Sequence, residues 1–293
     1  QVRDGVRLEI TSLATALDAT ARAHAKIEQA ARDLHAKHES LRRRLAEVAP
    51  EFPTVGGLCA DDSAAWFHAA VEGTFRGSVD EIRARLCVYL PYLSSIPTAA
   101  ESHLALDLGC GRGEWLTLLR DHRRPAIGVD ANPVSVERCM AAGLQAVRAD
   151  VIEYLRAQQN GSASLITAFH LVEHLPVESL VAMLVEVHRV LAPGGLLLVE
   201  TPNADNLAVG ASSFYLDPTH RHPLPAPLLR LILGFAKFEV IETLWLQPDE
   251  TLRAIAEREG WPETLTRLLA GPRDAGIIAR KAAGADASAA VPT

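Results

Sequence analysis

Asp107, Gly109, Gly111 and Gly113 stand in the segment LALDLGCGRGEWLTLL, which begins at Leu104 and reads as an apolar strand, a glycine-rich turn and a helix. Glycines at such a turn let the backbone approach a ligand lying beyond the carboxyl end of a strand in an open parallel sheet. Their spacing, G-x-G-x-G, is not the G-x-G-x-x-G of dinucleotide folds, and the chain has no G-x-x-x-x-G-K-[ST] phosphate loop. A diphosphate is therefore disfavoured. Asp107 would repel phosphate but could accept hydrogen bonds from an ammonium group. Asp130, in GVDANP, ends the next apolar run seventeen positions after Gly113, where a carboxylate can take both hydroxyls of a ribose. Asp150, in RADVIEYL, closes a third run. Three strand-end aspartates around a glycine turn suit a cationic, adenosine-containing ligand. Two more clusters could move protons: His170, Glu173 and His174 in SLITAFHLVEHLP, and Asp217, His220, Arg221 and His222 in a loop that includes Pro218 and ends at Pro223.

These residues need a scaffold, and the pattern of the chain supplies one. Short apolar runs alternate with helix-like segments: Leu104 to Leu108, Ile127 to Val129, Leu144 to Val147, Leu165 to Phe169 and Leu196 to Val199. That alternation predicts an α/β fold, a parallel sheet with helices on both faces. Two later runs, Phe238 to Leu246 and Gly276 to Ala279, flank a polar helical stretch and complete the sheet. Upstream, two helical pieces are expected, around Ala64 to Val71 and from Val79 to Leu90. From Val6 to Val48 the seam Val6, Ile10, Leu13, Leu17, Thr20, His24 and Ile27 continues through Val48, alternating four and three without a proline. This predicts a coiled coil about 65 Å long at 1.5 Å per residue, dimeric or trimeric. A lone amphipathic helix is the other reading. Pro50, Pro53 and Gly56-Gly57 end it. The expected organisation is a coil over 1–49, a linker and helical lid over 50–100, the α/β domain over 101–282 and a disordered Ala/Ser-rich tail over 283–293.

Of the 293 residues, 48% are hydrophobic and 22% charged, which excludes collagen-like, mucin-like and wholly disordered chains. No apolar run approaches eighteen residues, so no membrane span is expected. Residues 1–50 carry nine basic against seven acidic side chains, a balance of +2, so the net charge of -7 leaves -9 for the remainder. An acidic globular part is a poor partner for nucleic acid. Cys59, Cys87, Cys110 and Cys139 are widely spaced with no C-x-x-C pair, which favours reduced thiols and points to the cytosol. The chain opens on Gln1 rather than Met, as a piece of a longer protein would.

Taken in order, Asp107-x-Gly-x-Gly-x-Gly, Asp130, Asp150, SLITAFHLVEHLP (Ser164 to Pro176) and LAPGGLLLVETPN (Leu191 to Asn203) resemble the motifs of class I S-adenosylmethionine-dependent methyltransferases, over about Leu104 to Ala279. The resemblance implies a Rossmann-like seven-stranded sheet and S-adenosylmethionine as cofactor. It places Gly109, Cys110, Gly111 and Gly113 around the methionine part, Asp130 and Ala131 at the ribose, Asp150 with Val151 at the adenine edge, and His170 beside the cofactor. Arg76, on a helix ahead of the sheet, would hold the methionine carboxylate bidentately or pair with Glu72 at i,i+4. The flanks EGTFRGSVDEIRARLCVYLPYL (Glu72 to Leu93) and FYLDPTHRHPLPAPLLRLILGF (Phe214 to Phe235) are similar to bacterial methyltransferases of cell-surface polysaccharide synthesis, among them those that cap O-antigen chains. That narrower likeness implies a glycan or glycolipid acceptor, a glycosyltransferase of the same pathway as partner, a homo-oligomer through the coil, and a cytoplasmic chain peripheral to the inner membrane. The chain departs from the bifunctional members of that group, having no kinase signature and its coil on the N-terminal side.

Methyl transfer to a sugar hydroxyl is an in-line displacement in which the protein positions the acceptor and removes its proton. A neutral histidine or a carboxylate is the expected base. His220, oriented by Asp217 three residues earlier, is the leading candidate, and the Glu173-His174 pair is its rival, with capping of the helix near Pro176 as that pair's other role. His170, Glu173 and His174 also loosely resemble the E-x-x-E-H metal cluster of ubiquinone O-methyltransferases, but a histidine replaces the first glutamate and Mg²⁺ prefers oxygen ligands, so no metal is expected. Three other functions remain open: methylation of a small phenol- or quinone-like molecule, a cofactor-binding scaffold without turnover, and, more weakly, RNA methylation.

Overall fold

The computed structural model describes residues 18–33, 35–36, 39–40, 60–97 and 103–283. The chain divides into two units, Gln1–Gly57 and Leu58–Thr293. In the first, residues 18–33 form helix α1, whose side chains are mostly exposed and cross-braced by i,i+4 pairs such as Arg22–Asp18 at 2.8 Å. Ile27, on the expected seam, is 57% exposed. The seam positions before residue 18 and from Leu34 to Val48, and residues 284–293 of the expected tail, lie outside the described residues. No helix among the described residues is long and apolar enough to cross a membrane.

The second unit opens with α2 (Ala60–Phe75) and α3 (Val79–Leu86). Ser78 starts α3 with a capping box: its hydroxyl accepts from the Glu81 amide while the Glu81 carboxylate accepts from the Ser78 amide. The helix expected to run to Leu90 tightens at Cys87 into a 3₁₀ segment, Cys87–Ser95, that contains Pro91. A proline has no amide to offer an α-helical bond.

Seven strands follow: β1 (Leu104–Leu108), β2 (Ala126–Asp130), β3 (Ala146–Arg148), β4 (Ala163–Phe169), β5 (Leu191–Pro202), β6 (Phe238–Leu246) and β7 (Asp274–Lys281), in the spatial order β3-β2-β1-β4-β5-β7-β6. The first five are parallel, and β7 runs antiparallel between β5 and β6. The intervening helices are α4 (Glu114–Asp121), α5 (Pro133–Ala141), α6 (Val151–Arg156), α7 (Val177–Val190), α8 (Leu207–Ala211), α9 (Ala226–Phe235), α10 (Glu250–Glu259) and α11 (Glu263–Ala270). β5 starts five residues before the expected Leu196. Ala163 pairs with Leu191 and Leu165 with Leu196, so the intervening Pro193-Gly194-Gly195 is taken up as a bulge.

Both sheet faces are covered, which is why β4 is buried throughout and reads as an unbroken apolar run. Ile166 packs on one face with Leu180, Met183, Leu184 and Val187, the one-sided stripe of α7. Leu165 packs on the other with Tyr89 and Trp115. Each such fully buried aliphatic side chain contributes about 1.5–3 kcal/mol. β1 sends its chain to β2 on one side and has β4 on the other, so the sheet order reverses at its carboxyl end. A ligand crevice belongs there.

Candidate active site

After β1 the chain turns through Gly109, Gly111 and Gly113, with φ of 68°, 49° and 81°. At Gly113, which caps α4, a Cβ would lie 2.9 Å from Cys139 Sγ and 2.7 Å from Leu144 Cδ1. At Gly111 it would lie 2.7 Å from Glu72 Oε1. Left-handed backbone and no spare room both require glycine. The Asp130 carboxylate accepts from the Gly111 amide at 2.9 Å and from the Asn132 amide at 2.8 Å, joining the turn to the end of β2. Burial pushes its pKa up against those bonds. Asp107 is buried beneath the turn and accepts the Thr167 hydroxyl at 2.7 Å. Burial lifts it to about 7, opposed by that bond and by the charge of Arg76. Arg76 pairs with Glu72 at 2.8 Å, while its buried Nε makes no hydrogen bond.

Three other expected residues on this side also make structural contacts of their own. Cys110 turns its thiol into an apolar cluster with Leu116, Cys139 and Leu144, and its backbone groups bond within the turn and to Val129, so it shapes the turn from behind. Asp150 Oδ1 accepts from the Ile152 and Glu153 amides as the N-cap of α6, a bond set that involves one of its two carboxylate oxygens. Val151 is buried in the core. Ala131, by contrast, is exposed beside Asp130.

A cavity of about 270 Å³ opens beside the turn, lined by α2 and α3 residues, the ends of β4, β5 and β7, and the loop after α8. His170, at the end of β4, has φ of 53° and donates its amide to the Glu200 carbonyl. Its Nε2 lies 3.1 Å from Glu200 Oε1 and 3.9 Å from Asp274 Oδ1, and its Nδ1 lies 3.3 Å from Glu173 Oε1. Tyr89 donates to the other Glu200 oxygen at 2.5 Å. Burial alone would lower His170, but Glu173 and Glu200 outweigh it and hold the imidazole up at about 10. His170 is thus a cation at neutral pH, unavailable as a base. Glu173 is fully buried behind the cavity wall, where it accepts the Thr201 hydroxyl at 3.0 Å. Burial would raise its pKa, yet the charge of His170 keeps it low.

His174 is differently placed. Its Nδ1 lies 2.9 Å from Thr219 Oγ1, and Thr219 Oγ1 donates to Asp217 Oδ1 at 2.5 Å. The hydroxyl has one proton, and the carboxylate takes it, so His174 Nδ1 must be the donor and Nε2 carries the lone pair. Burial lowers the pKa of His174, helped by His220 and His68 and opposed by Glu173 and Asp217, which leaves the ring neutral.

The expected Asp217–His220 partnership does not form. Asp217 instead folds back on the Thr219 amide and hydroxyl, the local turn that Asp favours. His220 donates Nδ1–H to the Phe214 carbonyl at 2.6 Å and points Nε2 at Glu173 Oε1, 3.9 Å away. Arg221 and His222 are exposed and outside the cavity lining. Sequence reasoning missed His68, Thr219 and Glu200. The Asp217-Pro218-Thr219 order carried a turn signal; for His68, on α2, no local signal existed. His68, His174 and Asp217, and separately Glu173, His174 and His220, bring their ligand atoms within 4.8 Å of one another, compact enough for a divalent ion. In both sets His174 Nδ1 is already committed to Thr219.

A family profile described as a methyltransferase domain matches residues 79–261, more than half of the chain. A solved SAM-dependent methyltransferase from Archaeoglobus fulgidus is 31% identical with a TM-score of 0.62, over 72% of this chain and 97% of that one. The chain belongs to the S-adenosylmethionine-dependent methyltransferases. This methyltransferase is also 32% identical over 158 residues to a "Probable S-adenosylmethionine-dependent methyltransferase" of Mycolicibacterium smegmatis, covering 53% of this chain and 59% of that protein. It is 28% identical over 192 residues to 2-ketoarginine methyltransferase of Streptomyces arginensis, covering 62% and 51%. It therefore spans only between half and three fifths of these curated relatives. S-adenosylmethionine is the family's cofactor, and the residues present fit it: a glycine cradle that a Cβ would fill, and the unpartnered, buried Nε of Arg76 beside it.

Proposed function

We propose that this methyltransferase moves the methyl group of S-adenosylmethionine to a hydroxyl at the terminus of a glycan or glycolipid, with His174 as the base. The observation that carries the base assignment is the chain Asp217–Thr219–His174 at the cavity wall, which leaves a neutral imidazole with its Nε2 lone pair free of the proton. Gly109, Gly111 and Gly113 would hold the methionine part, Arg76 its carboxylate and Asp130 the ribose. Bound S-adenosylmethionine supplies a methyl carbon on a sulfonium that already leaves well. What remains for the protein is to place an alcohol of high pKa in line with that carbon and take its proton as the new bond forms. His174 Nε2 takes that proton, and Nδ1–H, held by Thr219 and Asp217, shares the charge that develops on the ring.

The cavity offers charged and hydrogen-bonding groups to a polar acceptor between apolar walls formed by residues such as Phe75, Ile82 and Phe214. His170 with Glu200, and Arg85 and Arg273, face the same cavity and could bind the hydroxyls of a sugar. Assembly through residues 1–49, a glycosyltransferase partner of the same pathway, and a cytoplasmic place beside the inner membrane belong to the same proposal. Incubation with S-adenosylmethionine labelled in the methyl group tests it. Label is expected in extracted surface polysaccharide and lost in His174→Ala. Label confined to phenolic acceptors overturns the glycan reading; cofactor binding with no transfer to any acceptor leaves the scaffold.

A further inference from the structure

One helix touches both halves of this site. Near its carboxyl end, α2 sets Glu72 and Arg76 over the glycine turn, with Glu72 Oε1 2.7 Å from the place of a Gly111 Cβ. At its other end the Ala65 carbonyl accepts from Asn132 Nδ2 at 3.0 Å, next to Asp130. Between them, one turn before Glu72 and so on the same face, His68 brings Nε2 within 3.8 Å of Asp217 Oδ2 and its ring centroid within 6.0 Å of that of His174. The other Asp217 oxygen holds Thr219, and Thr219 holds His174.

We propose that His68 is a positioning residue that ties Asp217 to α2, so that the helix closing over the cofactor turn also aligns the acceptor base. The inference rests on His174 being that base. Physically, Asp217 sits in a loop and is anchored on one side only by Thr219. A second attraction, from the far side of the carboxylate, restricts the swing that would release the Thr219 hydroxyl and let the His174 tautomer invert. Because His68 rides on the helix that lies against Gly111 and Asn132, ordering of α2 by the cofactor passes to the base through one side chain. The charged and titratable groups around His174 are His68 from α2, Glu173 beside it, and Asp217 and His220 from the loop.

His68→Ala, Thr219→Val and their combination test this, with extracted surface polysaccharide as acceptor and S-adenosylhomocysteine as binding probe. Each single change is expected to lower turnover about tenfold, a coupling of about 1.4 kcal/mol, and the double variant to fall no further than Thr219→Val alone. Affinity for S-adenosylhomocysteine by calorimetry and the melting temperature should stay unchanged. The acid limb of the pH profile should move to higher pH in His68→Ala, since a group opposing His174 protonation is gone while Glu173 and Asp217 remain. Losses that multiply, an unmoved acid limb, or a loss of turnover matched by lost S-adenosylhomocysteine affinity would overturn the role of His68. Full turnover in His174→Ala would instead overturn the base reading beneath it. If the polysaccharide takes no methyl group, nitrogen-15 NMR of His174 in the S-adenosylhomocysteine complex gives the answer: an Nδ1–H tautomer kept intact in His68→Ala overturns the inference, and its loss supports it.

Discussion

At His174 a single hydroxyl proton sets the tautomer, and the tautomer sets what the ring can do. His174→Ala should lower turnover by about 10²–10⁴-fold with cofactor affinity unchanged, whereas His220→Ala should cost about tenfold or less, because its Nε2 faces the buried Glu173. Comparable losses in both would remove the distinction. The pH dependence follows from the same geometry. As the proposed base, His174 must be unprotonated, and its pKa is lowered from 6.5, so kcat/KM should be flat near neutrality and fall as pH drops below 6.5. An acid limb above 6.5 would contradict it. The glycine turn was legible in the sequence because backbone conformation dictates residue type there. The partner of Asp217 was not: a spacing of three allows a carboxylate to reach His220, but the Thr219 amide and hydroxyl are nearer, and the 3₁₀ turn at Ser213–Leu216 brings the Phe214 carbonyl to His220 first.

Among the elements, the strand ends are joined by His170, which gathers Glu200 from β5, Asp274 from β7 and Glu173 from the segment after β4. Its folded pKa of about 10 lies above the ordinary 6.5. The stability it contributes is therefore fully present below about 6.5 and is lost as pH rises through 10. The variant His170→Asn, which tolerates the left-handed backbone, should melt below the wild type at pH 7, with the gap narrowing toward pH 10. A gap independent of pH would show that the ring serves only as packing. Central strands such as β4 were readable because both sheet faces are buried there and the run is apolar. Helix ends and the bulge at Pro193-Gly194-Gly195 were less so, since proline and glycine announce an interruption without saying which bond pattern resumes beyond it. α2 was expected as a helix, but the placement of His68 against the loop after α8 depends on contacts between residues some 150 positions apart.

For the whole molecule, the division at Gly57 separates the predicted coil from everything that forms the site. Removing residues 1–57 should leave affinity for S-adenosylhomocysteine intact and reduce the sedimenting species to a monomer. An unchanged mass would assign self-association to the second unit. The order of the sheet has a consequence for how the protein is made. β7, the last strand described, lies inside the sheet between two strands synthesised earlier. As the chain leaves the ribosome, β1 to β5 can assemble and form the glycine turn, but β6 has no strand to pair with until β7 emerges. Asp274 and Arg273 arrive with it. A nascent chain would thus carry the glycine turn, His174 and Asp217 before Arg273 and Asp274 close the last part of the cavity lining, so the final strand completes a site whose other walls are already in place.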